Sequence, residues 1–561
     1  MTPYASETFS AEEREVLRHY VTNLDGPVFA LVNLPEVVCG ALFARYSRSA
    51  KSLRRLFLDE FLGDLDVSGD SSVDATVGLR RAEELYQRVF VEFGDDSVAQ
   101  LGGVHLACEQ ASNVLTKVLE WGRLMSYLEQ STRYIPYDSR LATGHYRYWR
   151  DPDVLESGLG ARYVGDMDRM FDTYTELLPL LQAHLVRVFP HDGTASDFAY
   201  RQSIRARALD ALRGLLPAGA LSNVGIYGSG QSYEQLLLRM RCHPLPEVRS
   251  YADLILEELR KVIPSFLSRL DRPDRGGEWS RYLAARREEM DALVARLFPP
   301  DRSAGDAVAA RESVTLTDFD PAGEEKVLVA MCYSHSSLPE SELASRIRGL
   351  GSAERQAIVA AYVGERRNRR HKPGRALERT GYRFEVVSDY GAFRDLQRHR
   401  MLTIEWQELS PNLGYEIPEV IVEAGLAGAY ADSLEHAREL HDALAPGFPR
   451  QAVYAVPLAF RIRYSLQLNA REAMHLIELR STPQGHPVYR RIAQRMHRLI
   501  DEVAGHHALA EAMRFVDFRP DGLGRLEAER RAEPRRHPGA DPGHLDSGAT
   551  AGPWSNASGD T

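Results

Sequence analysis

Two short stretches of this sequence carry the side chains best suited to chemistry. The first, "RLMSYLEQSTRY", sets Arg123, Ser126, Glu129, Ser131, Arg133 and Tyr134 within twelve positions. The second, "GAFRDLQRHRMLT", places Arg398, His399 and Arg400 side by side, with His371, Arg375 and Glu378 upstream in "RRNRRHKPGRALE". Guanidiniums grip phosphates two-pronged and donate to ring carbonyl oxygens, so these clusters suit an anionic, planar ligand such as a flavin or a nucleotide. Basic runs are also common on solvated surfaces, and composition alone leaves that alternative open. Arg133 could equally end a helix, where the dipole favours a cation, and Glu378 could pair with Arg375 or Arg379 on a helix surface.

These residues need elements to hold them. "SNVLTKVLEW", before the first cluster, begins with helical spacing, with Val114, Leu115, Val118 and Leu119 on one stripe. "YRFEVVSD" alternates like a strand, with Tyr382, Phe384 and Val386 pointing one way. "NAREAMHLIELR" predicts a helix with Asn469 as N-cap and Glu472 closing a capping box. "LASRIRGLGSAERQAIVAAYVGERR" is helical with a glycine interruption. "GIYGSGQS" contains Gly-x-Gly without a dinucleotide-binding frame and is expected to be a flexible turn.

The totals exclude several classes. The chain has 561 residues, 44% hydrophobic and 26% charged, with a net charge of −10. An acidic whole argues against nucleic acid as a partner, despite "RRNRRH". No apolar run approaches the ~18 residues of a membrane helix, and the N-terminus does not read as a signal peptide. Cys39, Cys108, Cys242 and Cys332 are widely spaced and "HEAREL" and "GHHALA" lack ligand spacing, so the expectation is reduced thiols, a cytoplasmic location and no metal site.

The chain also matches itself. "ARYSRS" pairs with "MCYSHS", "GRLMS" with "HRMLT" and "RGLLP" with "VYAVP", in order, at offsets of 287, 277 and 240. Three ordered matches predict a duplicated domain. Composition shifts give a first repeat over 1–297, a linker over 298–322 near "LFPPDRSAGDAV", a second repeat over 323–530 and a disordered tail over 531–561.

An "RHR" followed by a small hydroxyl residue, then Asn-Glu-x-Ser-x-Arg-Tyr, is the signature of the flavin-dependent thymidylate synthases, and this chain resembles that family in both halves. "SYLEQSTRY" is similar to the second part of the signature and "RHRMLT" to the first. The resemblance implies an α+β fold of two tandem thymidylate synthase-like domains, each a mixed sheet with packed helices. In the first half Ser126, Glu129, Ser131, Arg133 and Tyr134 match and Arg123 survives, but Trp121 and Gly122 stand where Arg and His belong, and Leu128 where Asn belongs. Arg213 resembles the arginine that holds the substrate phosphate; the following "YGSGQSYEQLLLRMR" lacks the Asn-x-Arg pair, and Arg239 or Arg241 could supply its terminal arginine. In the second half Glu378, Arg398, His399, Arg400, Asn469, Arg471 and Arg480 match, while Thr403 replaces the Ser, Val453 the phosphate arginine, and His475 a flavin-touching Asn. "IEWQELSPNLGY" breaks the rest of the pattern.

One half therefore keeps mostly nucleotide-side residues and the other mostly flavin-side residues. The family draws each active site from several subunits of a homotetramer, so the resemblance implies composite sites between the repeats, and a homodimer imitating the tetramer. It implies reductive methylation of dUMP at C5, with FAD, methylenetetrahydrofolate and NADPH. Arg480 would stabilise charge on the uracil ring, Arg133, Arg213 and Ser131 would hold the phosphate, and Glu129 would orient its neighbours. The broken motifs leave two alternatives: alkylation of another pyrimidine nucleotide, or a silent nucleotide- or flavin-binding relative.

Overall fold

The computed structural model describes residues 4–5, 7–34, 36–61, 100, 102–193, 195–299, 313–520, 522, 524 and 526. Two four-stranded sheets share one plan. β1 (Val28–Ala30), β2 (Gly103–Ser112), β3 (Met125–Glu129) and β4 (Leu221–Ser229) lie in the order β1-β2-β4-β3. β5 (Ser313–Phe319), β6 (Gly381–Asp389), β7 (Leu402–Trp406) and β8 (Arg461–Asn469) lie in the order β5-β6-β8-β7. In the first repeat α1 (Asn113–Leu119) joins β2 to β3, the long α2 (Gly160–Val188) follows, and β4 runs into α3 (Gly230–Arg241) and then α4 (Pro246–Arg260). α5 (Glu278–Leu297) closes this half. In the second repeat α6 (Tyr390–Leu396) joins β6 to β7, α7 (Ala427–Leu444) takes the place of α2, and β8 runs into α8 (Ala470–Arg480) and α9 (Pro487–Glu502). β2 and β3 run parallel, as strands joined through a helix do, but β4 lies between them, so each hydrogen-bonded pair is antiparallel.

Where β2, β4, β6 and β8 run directly into helices, a short polar side chain accepts from a backbone N–H in the first helical turn. Ser112 accepts from Leu115 at 3.0 Å, Asp389 from Ala392 at 2.7 Å and Asn469 from Glu472 at 2.9 Å. Ser229 caps α3 in the same way, so "GIYGSGQS" is not a flexible turn but the end of β4 running into a helix. Its first glycine serves packing: a Cβ on Gly225 would lie 2.6 Å from the Phe43 ring. The strand read from "YRFEVVSD" buries Tyr382, Phe384 and Val386. The long helical stretch after residue 340 divides into Glu340–Arg348 and Ser352–Val363 around Gly349 and Gly351. Residues 300–312 and the tail over 531–561 lie outside the described residues, and β5 begins the second sheet inside the stretch read as linker. Its alternation of Val314 and Leu316, half-buried, with more exposed residues is the strand signal that the composition shift obscured. Among the described residues no helix is long and apolar enough to cross a membrane.

The two halves share one core. A single buried cluster runs from β2 and α2 through α7 and β8 to α9, and a smaller one, with Leu17, Phe29, Leu42 and Leu53, lies under the N-terminal helices. At the centre, "RGLLP" and "VYAVP" run past one another. Ala218 N–H donates to the Val456 carbonyl at 2.8 Å, Gly219 to Tyr454 at 2.9 Å, and Leu458 to Leu216 at 2.9 Å. A side chain on Gly219 would lie 2.9 Å from the Tyr454 carbonyl oxygen, so only glycine allows this approach. α1 buries the expected Leu115 and Leu119, but also Asn113, Thr116 and Lys117 on its other face, because the second repeat covers it. Tyr390 Oη donates to the Asn113 carbonyl at 3.2 Å and Gln397 Nε2 to the Lys117 carbonyl at 2.8 Å.

Glu247 is a second tie between the halves. Its buried carboxyl accepts from Ser112 N–H at 2.9 Å, Ser112 Oγ at 2.6 Å and Tyr454 Oη at 2.8 Å. Burial outweighs these donors and pushes its pKa up to about 7. A carboxyl raised on folding holds its proton in the native state over a range where the unfolded chain has lost it, so stability falls as pH rises from about 5 to 7. Glu247→Gln is expected to remove a decline on the order of 3 kcal/mol. Urea unfolding at pH 5, 6, 7 and 8 measures it; an unchanged pH slope in the variant would assign the titration to another group.

Candidate functional site

The turn between α6 and β7 carries Arg398, His399 and Arg400, and the turn between α1 and β3 carries the equivalent Trp121, Gly122 and Arg123. The fold sets the two turns against each other across an approximate two-fold axis. The same contact is then made twice. Arg123 Nη2 donates to Thr403 Oγ1 at 2.9 Å, and Arg400 Nη1 donates to Ser126 Oγ at 3.3 Å and to the Met125 carbonyl. Arg123 and Arg400 occupy equivalent positions, as do Ser126 and Thr403, so this is a self-complementary interface folded into one chain. One pair of positions breaks the symmetry. Arg398 meets Glu129 as an ion pair, whereas their equivalents Trp121 and Trp406 meet edge to face, with ring centroids 5.5 Å apart.

Glu129 is fully buried and gathers cations from both repeats: Arg394 at 2.7 Å, Lys117 at 3.4 Å, and Arg398. Burial alone would raise its pKa, but Arg394, Lys117 and Arg398 outweigh it and hold the carboxylate well below the usual range. Lys117 also donates to Glu120 at 2.5 Å. Asp395 is a second hub, 3.4 Å from Arg213 and 3.9 Å from Arg480. Burial again opposes ionisation, and Arg213, Arg480, Arg398 and Arg133 hold this carboxylate low. Arg480 Nε donates to His399 Nε2 at 3.0 Å, which leaves the proton on Nδ1 to donate to Glu472 at 2.9 Å. Burial and then Arg480 keep His399 neutral, far below its ordinary pKa. Glu472 is thereby turned away from the cap, and only the Asn469 half of the expected capping box forms.

His399, Glu472 and His475 have ligand-capable atoms within 4.8 Å of one another, a grouping the sequence spacing did not suggest. The hydrogen bonding does not suit a metal. Arg480 requires a lone pair on His399 Nε2, so a metal on Nδ1 would set two N–H donors against each other. Burial, with His399, Lys372 and Arg369, lowers the His475 pKa to about 4.

Two cavities open at this interface, each lined by both repeats. The first, about 530 Å³, is lined by Arg133, Asp210 and Arg213 from the first repeat and by Asp389, Arg461 and His486 from the second. Arg133 forks onto Asp210 at 2.6 and 2.7 Å and donates to the Gln484 carbonyl and Tyr489 Oη. Arg213 is buried, with Nη2 unpartnered among the described residues. The second cavity, about 510 Å³, is lined by Trp121, Arg123 and Arg239 and by His399, Arg400 and Thr403. Arg239 stands 5.4 Å from the Trp121 ring centroid, and its buried Nε has no hydrogen-bond partner among the described residues.

The structure thus brings Arg133 with Arg213, and Arg123 with His399 and Arg400. It commits Arg398 and Glu129 to each other. Ser131 Oγ accepts from the Arg133 N–H at 3.3 Å, and Tyr134 lies under Arg48 at 5.6 Å. Glu378 pairs with Arg375 at 3.0 Å and Arg471 at 3.2 Å, and Asn469 serves as a cap; these residues, and His475, line neither cavity. Arg480, expected against the substrate ring, is instead bound to His399 and the Asp395 carbonyl, and lines neither cavity. Lys117, Asp210, Arg394 and Asp395 were not singled out by the sequence, and Arg239 only as one of two candidates, with Arg241, for a terminal arginine. Lys117–Glu120 and Asp395–Arg398 have the three-residue helical spacing that could have marked them. Asp210 left no such mark.

Removing one member of a buried ion cluster leaves the others uncompensated. Glu129→Gln is expected to destabilise the fold by about 3–5 kcal/mol, because Arg394, Arg398 and Lys117 lose their shared counterion. Denaturant unfolding measures this; a loss below about 1 kcal/mol, the range of exposed pairs, would mean that the cluster does not hold the repeats together.

The family profile described as thymidylate synthase complementing protein matches residues 45–265 and 315–505, once in each repeat. A UPF0159 protein of Chlamydia muridarum is 40% identical over 528 residues, covering 93% of this chain and 98% of the relative. One from Chlamydia pneumoniae is 40% identical over 534 residues, covering 94% and 99%, and one from Thermoplasma acidophilum 35% identical over 521 residues, covering 87% and 97%. With both repeats matched and relatives aligned nearly end to end, the chain belongs to the thymidylate synthase complementing protein family, as a tandem two-domain member.

Proposed function

We propose that this chain is a flavin-dependent enzyme that methylates dUMP at C5, at a site shared by its two repeats. The observation that carries the reading is the first cavity. It holds Arg133 and Arg213, the phosphate-binding pair implied by the family resemblance, and Arg461 and His486 face them from the other repeat. Arg213 keeps a buried, unpartnered N–H, a donor suited to a phosphate oxygen.

The donor set of the second cavity fits a flavin. Arg123, Arg239 and Arg400 provide cations and ring-directed donors, Trp121 an aromatic wall, and Arg239 an unsatisfied N–H. When bound, FAD supplies hydride chemistry for the one-carbon unit carried by methylenetetrahydrofolate, and NADPH restores its reduced form. In this reading Arg123, Arg239, His399 and Arg400 hold the cofactor. Arg480 is a positioning residue: its N–H to Nε2 fixes the neutral tautomer of His399. Asp395 connects the two cavities through Arg213, which lines the first, and through Arg480, which lines neither but holds His399 at the second.

A second reading is favoured by the pairing of Arg133, Arg213 and Arg398 with Asp210, Asp395 and Glu129 inside the protein. A relative that binds flavin or nucleotide without turning it over would keep its arginines in this way. Tritium release from C5-labelled dUMP, with FAD, NADPH and methylenetetrahydrofolate present, separates the readings. Release supports the proposal. Activity on UMP or dCMP alone would redirect it to another pyrimidine nucleotide, and bound flavin without turnover would leave the silent relative. Arg213→Lys keeps the charge opposite Asp395 but removes the planar fork. It is expected to weaken dUMP binding about 10-fold while leaving flavin per chain unchanged; equal loss of both ligands would refute separate nucleotide and flavin pockets.

A further inference from the structure

We infer that α5 is a docking face for a second copy of this chain, paired antiparallel with its counterpart. This helix buries none of its residues. Trp279, Leu283, Arg286, Met290, Leu293 and Leu297 recur along it at alternating spacings of four and three, which sets them on one stripe. Trp279 is 53% exposed, Met290 52% and Leu297 57%, and Tyr282 and Val294 extend the exposed stripe on either side. The helix is fixed to the body along a different edge. Arg287 donates to the Cys242 carbonyl at 2.5 Å, and Arg450 donates to Asp291 at 3.2 Å. The stripe is therefore presented on a helix already ordered, and little conformational freedom is left to lose on docking.

The occupant is indicated by the charges. Arg286, Arg287, Glu288 and Glu289 stand at the middle of Glu278–Leu297, with the positive pair toward one end and the negative pair toward the other. Antiparallel pairing about that midpoint sets Arg286 of each copy beside Glu289 of the other, while Arg287 stays on the edge bound to Cys242 and Glu288 points away. Parallel pairing would set like charges together. Arg286, within the stripe, and Glu289, at its edge, make no ion pair among the described residues, and Arg286 lies over the Tyr282 ring at 5.7 Å. A face that is apolar, half-turn symmetric in charge and unpaired among the described residues of its own chain is complementary to itself, as a two-fold interface requires. The inference does not depend on the proposed activity.

Sedimentation velocity of the full-length chain tests it. The wild type is expected to be a dimer at micromolar concentration. Met290→Glu with Leu297→Glu should raise the dissociation constant on the order of 100-fold, because charges enter a desolvated patch, with circular dichroism unchanged. Arg286→Glu should weaken the dimer about 10-fold, and adding Glu289→Arg should restore it. These two positions are exposed, so the charge-swap arm stands even if the apolar variant misfolds. A monomeric wild type overturns the inference, and so does a dimer untouched by the apolar variants. Failure of the double swap to recover overturns the antiparallel arrangement.

Discussion

The buried carboxylate of Glu129 is the contact on which the rest of this molecule depends. It sits at the end of β3, in the first repeat, and neutralises Arg394 and Arg398 from the second repeat together with Lys117 from its own. Charges removed from water destabilise unless they are paired in good geometry. The α6 turn that carries Arg398, His399 and Arg400 is therefore held against β3, and both cavities form around that junction.

The same junction explains how duplication let the two halves diverge. In a homodimer, each contact across the axis occurs twice with the same side chains. Here the reciprocal pairs Arg123–Thr403 and Arg400–Ser126 still behave that way. The next pair does not: Arg398–Glu129 is ionic, and Trp121–Trp406 is aromatic. Once both copies reside in one chain, each position mutates independently. One side became a buried ion cluster and the other an aromatic-walled cavity with three guanidiniums on its lining. The apparent defects at Trp121 and Gly122 are one half of that division.

Much of the fold was legible in residue order. The three repeated stretches marked the duplication, and the two that bracket α1–β3 and the central crossing lie at matching places in the two sheets. The capped joint at Asn469 and the strand at Tyr382 followed from cap chemistry and alternation. "GIYGSGQS" misled because glycines chosen for close packing, Gly225 against Phe43, Gly228 against Met125 and Gly230 against Phe266, resemble glycines chosen for flexibility. β5 was hidden because an edge strand that buries little looks, in composition, like the linker beside it.

The sequence by itself determined that there are two related units, which of them kept each part of the signature, and which residues carry charge suited to an anionic planar ligand. Those properties are local, written in spacing and side-chain type. Only the tertiary structure decided which charges remain available. Arg480 and Arg398 match the signature as well as Arg400 does, yet His399, Asp395 and Glu129 engage the first two, while Arg400 lines a cavity. Asp210 lies 77 positions from the arginine it binds, and Glu129 lies 265 and 269 positions from Arg394 and Arg398. Electrostatic pairing depends on distance in space and on exclusion of water, and neither is encoded in the neighbourhood of a residue along the chain.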